Sequence, residues 1–305
     1  MLTVGVLGAH GLIGRTVVSS IRQRGWQVRS FCRCNADVIL DLDDLSAVSR
    51  AEFEGLDAFV HCAGPTDEDF AADAQQAFRR CTVNLEELLK LVLGGRVERF
   101  AYISTAHVYG EMLGDVSESV AAAPVSNYAI GHFAAERVIN RVCGVLHRSC
   151  LVLRPNAVFG MPDLATFRRW QLIPFSFPRA AVDTGRIVLK TPGLQRRNFV
   201  GTPTIGEMIA NFFTQAQAPR FTLLNPVGTT NQSIVDFARQ VASIAESILR
   251  RPVLVDAPRP NPDDELAGAP VSYQSSLYPA QPEPLSLDTF VRQIIQSLAT
   301  SPPEG

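Results

Sequence analysis

The chain has 305 residues, of which 46% are hydrophobic and 19% are charged, a balance typical of a globular protein and not of a disordered one. The 28 Lys and Arg residues are matched by 30 Asp and Glu residues, and the net charge of −2 lacks the basic excess needed to bind a nucleic-acid backbone. No uncharged apolar run reaches the ~18 residues of a membrane-spanning helix, and no basic leader precedes the first strand, so we expect neither a membrane partner nor a signal peptide.

Short β-branched runs alternate with helical patterns over the first 155 residues. This alternation predicts right-handed βαβ crossovers, hence an α/β, Rossmann-type doubly wound parallel sheet covered on both faces. The predicted strands span residues 3–7, 28–32, 38–40, 58–62, 99–103 and 150–153. The predicted helices span about residues 13–24, 45–54, 68–93 and 127–143.

The pattern changes after residue 155. Residues 156–196 scatter Pro and Gly among aromatics and arginines, whereas strands at 198–200 and 221–224 flank a helix at 207–215. A helix at 234–249, a proline-rich stretch at 252–284 and a helix at 285–298 follow, and we expect the tail 301–305 to fray. The organisation predicts a nucleotide-binding domain (1–155 and about 197–226) and a smaller C-terminal substrate-binding domain (156–196 and 227–305).

A G-x-x-G-x-x-G motif lies between the first predicted strand and the first helix. Glycines there let the backbone turn tightly and approach a pyrophosphate, whose charge is stabilised by the helix N-terminus. The strand and helix context therefore predicts a dinucleotide cofactor. The residues predicted to contact it are Gly8, His10, Gly11, Leu12, Ile13 and Gly14.

The end of the second strand bears on the choice of cofactor. A carboxylate there binds the adenosine ribose 2′-hydroxyl of NAD, but this chain has Arg33, which suits the 2′-phosphate of NADP. We predict NADP, with NAD as the alternative if Arg33 is only a solvated surface residue.

Further motifs follow in a fixed order along the chain. They are Asp41-Leu42, His61-Cys62-Ala63-Gly64, Asn84, the run Ile103-Ser104-Thr105-Ala106-His107-Val108-Tyr109-Gly110, Tyr128, Arg154-Pro155 and the run 195–200. With the glycine motif, this order resembles the extended short-chain dehydrogenase/reductase family, the group of NAD-dependent sugar-nucleotide epimerases, dehydratases and ketoreductases. The resemblance covers residues 1 to about 240.

The resemblance implies roles for individual residues and a homodimer. Tyr128 is the expected proton donor and Thr105 the residue that bonds the substrate carbonyl oxygen. The implied cofactor contacts are Arg33, Asp41, Leu42, Cys62, Ala63, Gly64, Asn84, Tyr128, His132 and Pro155. The implied substrate contacts are Ser104, Thr105, Asn156 and Arg197, the last of which grips a diphosphate in the family.

The chain departs from the family at the residue four positions after Tyr128. The family has Lys there, one helical turn along the same face, where its ammonium lowers the tyrosine pKa and holds the nicotinamide ribose. This chain has His132, which can orient the ribose but is charged only below about pH 6.5 unless its pKa is perturbed. We expect His132 to activate Tyr128 less well, so catalysis is either adapted or weakened.

Other departures concern the substrate. Ala157 stands where the family has an Asn, with Asn156 one place early, and residues 201–204 lack the family's acidic residue. Ala106 and His107 replace the acid and base of the dehydratases, so a 4,6-dehydratase is not expected. His107 is a candidate substitute acid or base, or a packing residue at the strand end.

The leading hypothesis is an NADP-dependent ketoreductase that acts on a sugar nucleotide or a related polyol carbonyl. The alternatives are a sugar-nucleotide 4-epimerase and a catalytically weakened NADP-binding regulatory protein. We expect a cytoplasmic protein with reduced cysteines, and no metal at Cys32 and Cys34 or among His61, His107 and His132.

Overall fold

The computed structural model describes residues 1–261 and 269–300, so the parts of the sequence predictions that fall on residues 262–268 and 301–305 lie outside the described residues. The strands are β1 (Thr3–Leu7), β2 (Gln27–Cys32), β3 (Val38–Ile39), β4 (Ala58–His61), β5 (Arg99–Ile103), β6 (Gly114–Val116), β7 (Ser149–Leu153), β8 (Ala157–Phe159), β9 (Arg186–Val188), β10 (Arg196–Gly201), β11 (Phe221–Leu224), β12 (Thr230–Ser233), β13 (Leu254–Asp256) and β14 (Val271–Tyr273). The helices are α1 (Leu12–Gln23), α2 (Asp67–Ala72), α3 (Ala74–Cys81), α4 (Val83–Leu93), α5 (Asn127–Val145), α6 (Ile173–Asp183), α7 (Thr202–Thr214), α8 (Ile234–Leu249) and α9 (Leu287–Thr300).

A parallel sheet forms the centre of the molecule, and within the described residues it has seven strands in the order β11-β7-β5-β4-β1-β2-β3. The strand order reverses direction beside β1, which places the carboxyl ends of β1 and β4 at a switch point where such sheets bind ligands. The predicted doubly wound α/β fold is confirmed.

Both faces of this sheet are buried because its strands are apolar at successive positions. Val60 of β4 packs with Val17 of α1 and Ile209 of α7 on one face. Phe59, the neighbouring residue, packs with Leu88 of α4 on the other face, where α5 also lies. Burial on both faces explains the short hydrophobic runs that predicted these strands.

A second core is built from β8, β10 and β12 together with α6, α8 and α9. Strand β10 pairs in parallel with β8 and antiparallel with β12. Phe199 of β10 packs there against Phe237 of α8, with ring centroids 4.7 Å apart. The sequence did not predict α6, because Pro174 and Pro178 interrupt its helical pattern.

Two predicted helices differ in the structure. The helix predicted at 68–93 is divided into α2, α3 and α4, with extended backbone at Asp73. The Asp73 carboxylate accepts a hydrogen bond from the Gln76 backbone N–H and so begins a new helix, as N-cap residues do. The helix predicted at 45–54 is a 3₁₀ turn at Arg50–Phe53.

Candidate active site

The glycine loop joins β1 to α1 with almost no free space. Gly8 has φ +80°, and a Cβ on Gly14 would lie 2.0 Å from the Gly8 carbonyl oxygen. Helix α1 begins at Leu12 with no acidic residue in its first turn and no side-chain cap from Gly11. An uncapped helix N-terminus that the backbone can approach closely fits the pyrophosphate of a dinucleotide.

Arg33 is exposed directly after β2, at the end of the sheet where an adenosine ribose would lie. It has an acidic neighbour that the sequence did not reveal. The pKa of the Asp43 carboxyl is lowered mainly by its hydrogen bond from Arg80 and also by the charge of Arg33. Because Arg80 and Gln76 already donate to Asp43, its carboxylate offsets only part of the Arg33 charge.

The loop after β3 is hydrogen-bonded to Asn84 of α4. The buried Asn84 side chain donates to the Leu42 carbonyl oxygen at 2.7 Å, and Asp41 accepts from the Asp43 backbone N–H at 3.0 Å. Asn84 therefore fixes the backbone at Leu42, in the predicted adenine-contacting pair Asp41-Leu42, and its own contact with the cofactor stays a prediction.

Tyr128 and Thr105 come together although they lie on different elements. Thr105 follows β5, is buried, and caps a 3₁₀ turn by accepting from the His107 backbone N–H. Tyr128 lies in the first turn of α5 and is hydrogen-bonded to the Thr105 side chain. Burial raises the pKa of Tyr128 to about 12, and the Thr105 hydrogen bond opposes this shift only in part. The Tyr128 phenol is therefore protonated at neutral pH, in a form that can donate a proton.

His107 lies at the mouth of the same cleft. Its ring centroid is 6.1 Å from that of Tyr128, and its side chain is exposed. The surrounding protein lowers the pKa of His107, and the charge of Arg197 lowers it further. The Arg169 guanidinium lies 4.0 Å from a carboxylate oxygen of Asp67 at the edge of this cleft.

His132 lies beneath Tyr128, with ring centroids 4.6 Å apart. Its Nε2 is 3.1 Å from the Pro65 carbonyl oxygen, and its Nδ1 is 2.9 Å from the Tyr102 hydroxyl. Because a carbonyl only accepts, Nε2 carries the hydrogen and a neutral Nδ1 accepts from Tyr102. Burial lowers the pKa of His132 to about 4, so His132 does not supply a positive charge beside Tyr128. No pattern in the sequence indicates that Tyr102 is the partner of His132.

Ser104 does not present a free hydroxyl to the cleft. It donates to Glu136 at 2.6 Å, and Glu136 is paired with Arg154 through bonds of 2.9 Å and 2.5 Å. All three side chains are buried. The substrate contact of Ser104 stays a prediction. Sequence analysis missed Glu136, although its position eight residues after Tyr128 places it on the same helix face.

Further predicted residues are held by local contacts. Asn156 contacts the Met112 sulfur at 3.6 Å, and the Pro155 carbonyl oxygen accepts from the Ala106 N–H at 2.9 Å. The backbone N–H of Ala63 donates to Nδ1 of the buried His61, which fixes the segment after β4 beside the glycine loop. Burial raises the pKa of the adjacent Cys62 thiol to about 12, so it is an inert lining group.

Among residues 1–261 and 269–300, no group of three or more His, Cys, Asp or Glu side chains is arranged to hold a metal ion. Over the same ranges, none of the helices has the length and apolar character required to cross a membrane.

Comparison with known proteins identifies relatives over most of the chain. Residues 4–216 match the sequence model of the NAD dependent epimerase/dehydratase family. Protein YeeZ of Escherichia coli strain K12 is 26% identical over 146 residues, and the chain spans only about half (49%) of that relative's length.

Solved structures share the fold at low identity. RMD from Pseudomonas aeruginosa, complexed with NADPH, is 17% identical with a TM-score of 0.76, over 99% of this chain and 100% of that one. MoeE5, in complex with UDP-glucose and NAD, is 19% identical with a TM-score of 0.76, over 96% of this chain and 97% of that one. UDP-glucuronic acid 4-epimerase from Bacillus cereus, in complex with NAD, is 17% identical with a TM-score of 0.73, over 97% and 96%.

Proposed function

Because the chain belongs to the NAD-dependent epimerase/dehydratase family, we propose that it is a nicotinamide-dependent ketoreductase with NADP as its cofactor and a sugar nucleotide or related polyol ketone as its substrate. The observation that carries the proposal is the neutral Tyr128 hydroxyl, hydrogen-bonded to Thr105 with an uncharged His132 beneath it. A phenol in this state is protonated at neutral pH and so is present as a general acid, whereas the tyrosinate that would remove a proton is scarce.

The cofactor would lie across the glycine loop, where Gly8 and Gly14 leave a surface that a Cβ would fill. When bound, the nicotinamide would supply the hydride for the carbonyl carbon. Thr105 and Tyr128 would both bond the carbonyl oxygen, and Tyr128 would deliver the proton as negative charge develops there. The exposed Arg33 supports NADP as the preferred cofactor.

In this proposal, Arg197 beside the cleft would select the substrate by binding its phosphate. Arg197 brings a cation close to His107, and no side-chain carboxylate is bonded to its guanidinium in the described residues; a backbone carbonyl, that of Arg196, accepts from it at 3.1 Å. A cation in this position suits a phosphate group of the substrate. With Ala106 and His107 in place of an acidic pair, the site is not suited to eliminate water.

The direction of reaction separates this proposal from a 4-epimerase. An epimerase first oxidises its substrate, so its tyrosine must accept a proton, and it then re-reduces the same carbon. The raised pKa of Tyr128 disfavours that first step.

The test is to incubate the purified protein with NADPH and a panel of 4-keto and 2-keto nucleotide sugars, and in parallel with UDP-sugars and no added cofactor. We expect NADPH oxidation only in the first arm. Epimerisation in the second arm would establish the alternative enzyme, and NADPH binding with no turnover in either arm would establish a regulatory protein. The homodimer and the cytoplasmic location expected from the sequence belong to the same proposal. Light scattering, which measures the molar mass in solution, tests the homodimer.

A further inference from the structure

Three separate segments meet at the His132 imidazole. Tyr102, the next-to-last residue of β5, donates to Nδ1, and the Nε2 hydrogen is donated to the Pro65 carbonyl oxygen in the segment after β4. His132 itself belongs to α5, one turn after Tyr128. The Tyr102 and His132 side chains are 1% and 3% exposed, so these bonds exchange little with water.

The contact leaves no room for another atom. A Cβ on Gly64 would lie 2.8 Å from Cε1 of His132 and 3.3 Å from the Tyr102 hydroxyl. The imidazole edge therefore rests directly on the 64–65 backbone. Any change in the ring's position moves that backbone, which lies next to the glycine loop through contact of Ala63 with Gly8.

The surroundings of the ring keep it uncharged. Tyr128 of its own helix and Tyr102 of β5 lie against it, His61 of β4 and His107 of the Ala106–Tyr109 3₁₀ turn act on it electrostatically, and Glu136 follows it by four residues in α5. The carboxylate of this set, that of Glu136, is occupied by Arg154 and Ser104. No free anion is thus available among these groups to stabilise an imidazolium.

We propose that His132 is a positioning residue that fastens the 64–65 backbone to β5 and α5 through Tyr102 and Pro65, and that this neutral tether takes the place of the cationic contact that Lys makes in the family. The inference rests on the proposed function for where the cofactor lies. Under it, cofactor affinity depends on the donor and the acceptor at position 132 and not on a positive charge.

Substitutions at position 132 separate a tether from a cation. The side chain of His132→Gln keeps one donor and one acceptor without charge, that of His132→Lys has charge and donors but no acceptor, and that of His132→Leu has neither. We expect His132→Gln to bind NADP(H) within about threefold of wild type, and both His132→Lys and His132→Leu to bind it about tenfold more weakly or worse. Tyr102→Phe, which removes the donor to Nδ1, should weaken binding to a similar extent.

Two further measurements exclude a role in overall stability alone. Hydrogen exchange should show faster exchange of the amides at 62–66 in His132→Leu and Tyr102→Phe, and protection restored in His132→Gln. At saturating cofactor, His132→Gln should recover most of the kcat that His132→Leu loses, since it restores both hydrogen-bonding groups of the ring. Thermal melting of each variant establishes that it is folded before it is compared.

The ring itself gives a direct spectroscopic signature. In protein labelled with ¹⁵N-histidine, the His132 resonances, assigned by their loss in His132→Gln, should show the neutral Nε2–H form from pH 5.5 to pH 8. Titration of that ring within this range would overturn the proposal, as would cofactor affinity of His132→Lys equal to that of wild type. If wild type binds no nicotinamide cofactor at all, the proposed function fails, while the ¹⁵N spectrum and the exchange of residues 62–66 still decide whether the tether exists.

Discussion

The protonation state of Tyr128 makes a quantitative prediction about direction and pH. Burial raises the pKa of this phenol from 10.0 to about 12. With that pKa, the tyrosinate fraction at pH 8 is roughly 10⁻⁴, by the ordinary titration relation. Reduction needs the protonated form, so its kcat should stay level from pH 6 to pH 10. Oxidation of the product alcohol needs the ionised form, so its rate should rise about tenfold per pH unit over the same interval.

Titration of the neighbouring histidines should not change either rate with pH above pH 7. The pKa of His132 is lowered to about 4 by burial and that of His107 is also lowered, so both rings stay neutral above pH 7. His132→Lys places an ammonium beside the phenol, which should lower the Tyr128 pKa and bring an alkaline decline of the reduction rate below pH 10.

The assay is the initial rate in both directions at saturating cofactor and substrate. Tyr128→Phe serves as the control, because loss of the hydroxyl should lower both rates by about 10²–10⁴-fold while cofactor affinity is kept. A wild-type reduction rate that falls between pH 6 and pH 8 would refute the argument, since it would require a charged histidine. An oxidation rate independent of pH would also refute it.

Three further predictions concern charged side chains. Arg33→Ala should weaken NADP(H) binding by about ten- to a hundredfold and leave NAD(H) binding unchanged, and calorimetry that finds equal wild-type affinities for both cofactors contradicts the assignment. Arg197→Ala should raise KM about thirtyfold, for a loss of about 2 kcal/mol, without changing NADP(H) affinity; an unchanged KM removes the phosphate contact. Glu283, half-buried at the N-terminus of α7, has a raised pKa because of burial, so the native state binds its proton more tightly and its contribution to the free energy of unfolding falls as pH rises above 4.5. Urea unfolding should show that the free energy of unfolding of Glu283→Gln falls less than that of wild type between pH 4 and pH 7. The same pH dependence in both proteins would exclude a contribution from Glu283.

Local patterns were sufficient for the parts of the fold and the site that depend on neighbours in the chain. The strand and helix rhythm predicted the parallel sheet because strands buried on both faces form short, nearly continuous apolar runs. The glycine spacing predicted the tight loop, since Gly14 must pack against the Gly8 carbonyl. The motifs at 103–110 and 128 also named Tyr128 and Thr105, which the structure joins by a hydrogen bond.

Tertiary structure alone decided which side chains share a bond across the fold. Glu283 accepts from the Gly201 backbone N–H, 82 residues earlier in the chain, at a helix start that has no acidic residue of its own. Tyr102, 30 residues before His132, donates to Nδ1 of that ring, while the Pro65 carbonyl sets its tautomer and burial removes its charge. Residue spacing predicts contacts along one helix face, but it does not predict which groups are buried against one another after the elements pack. Burial and hydrogen-bond partners set the pKa of a side chain, so the sequence named His132, and only the packed structure made it neutral.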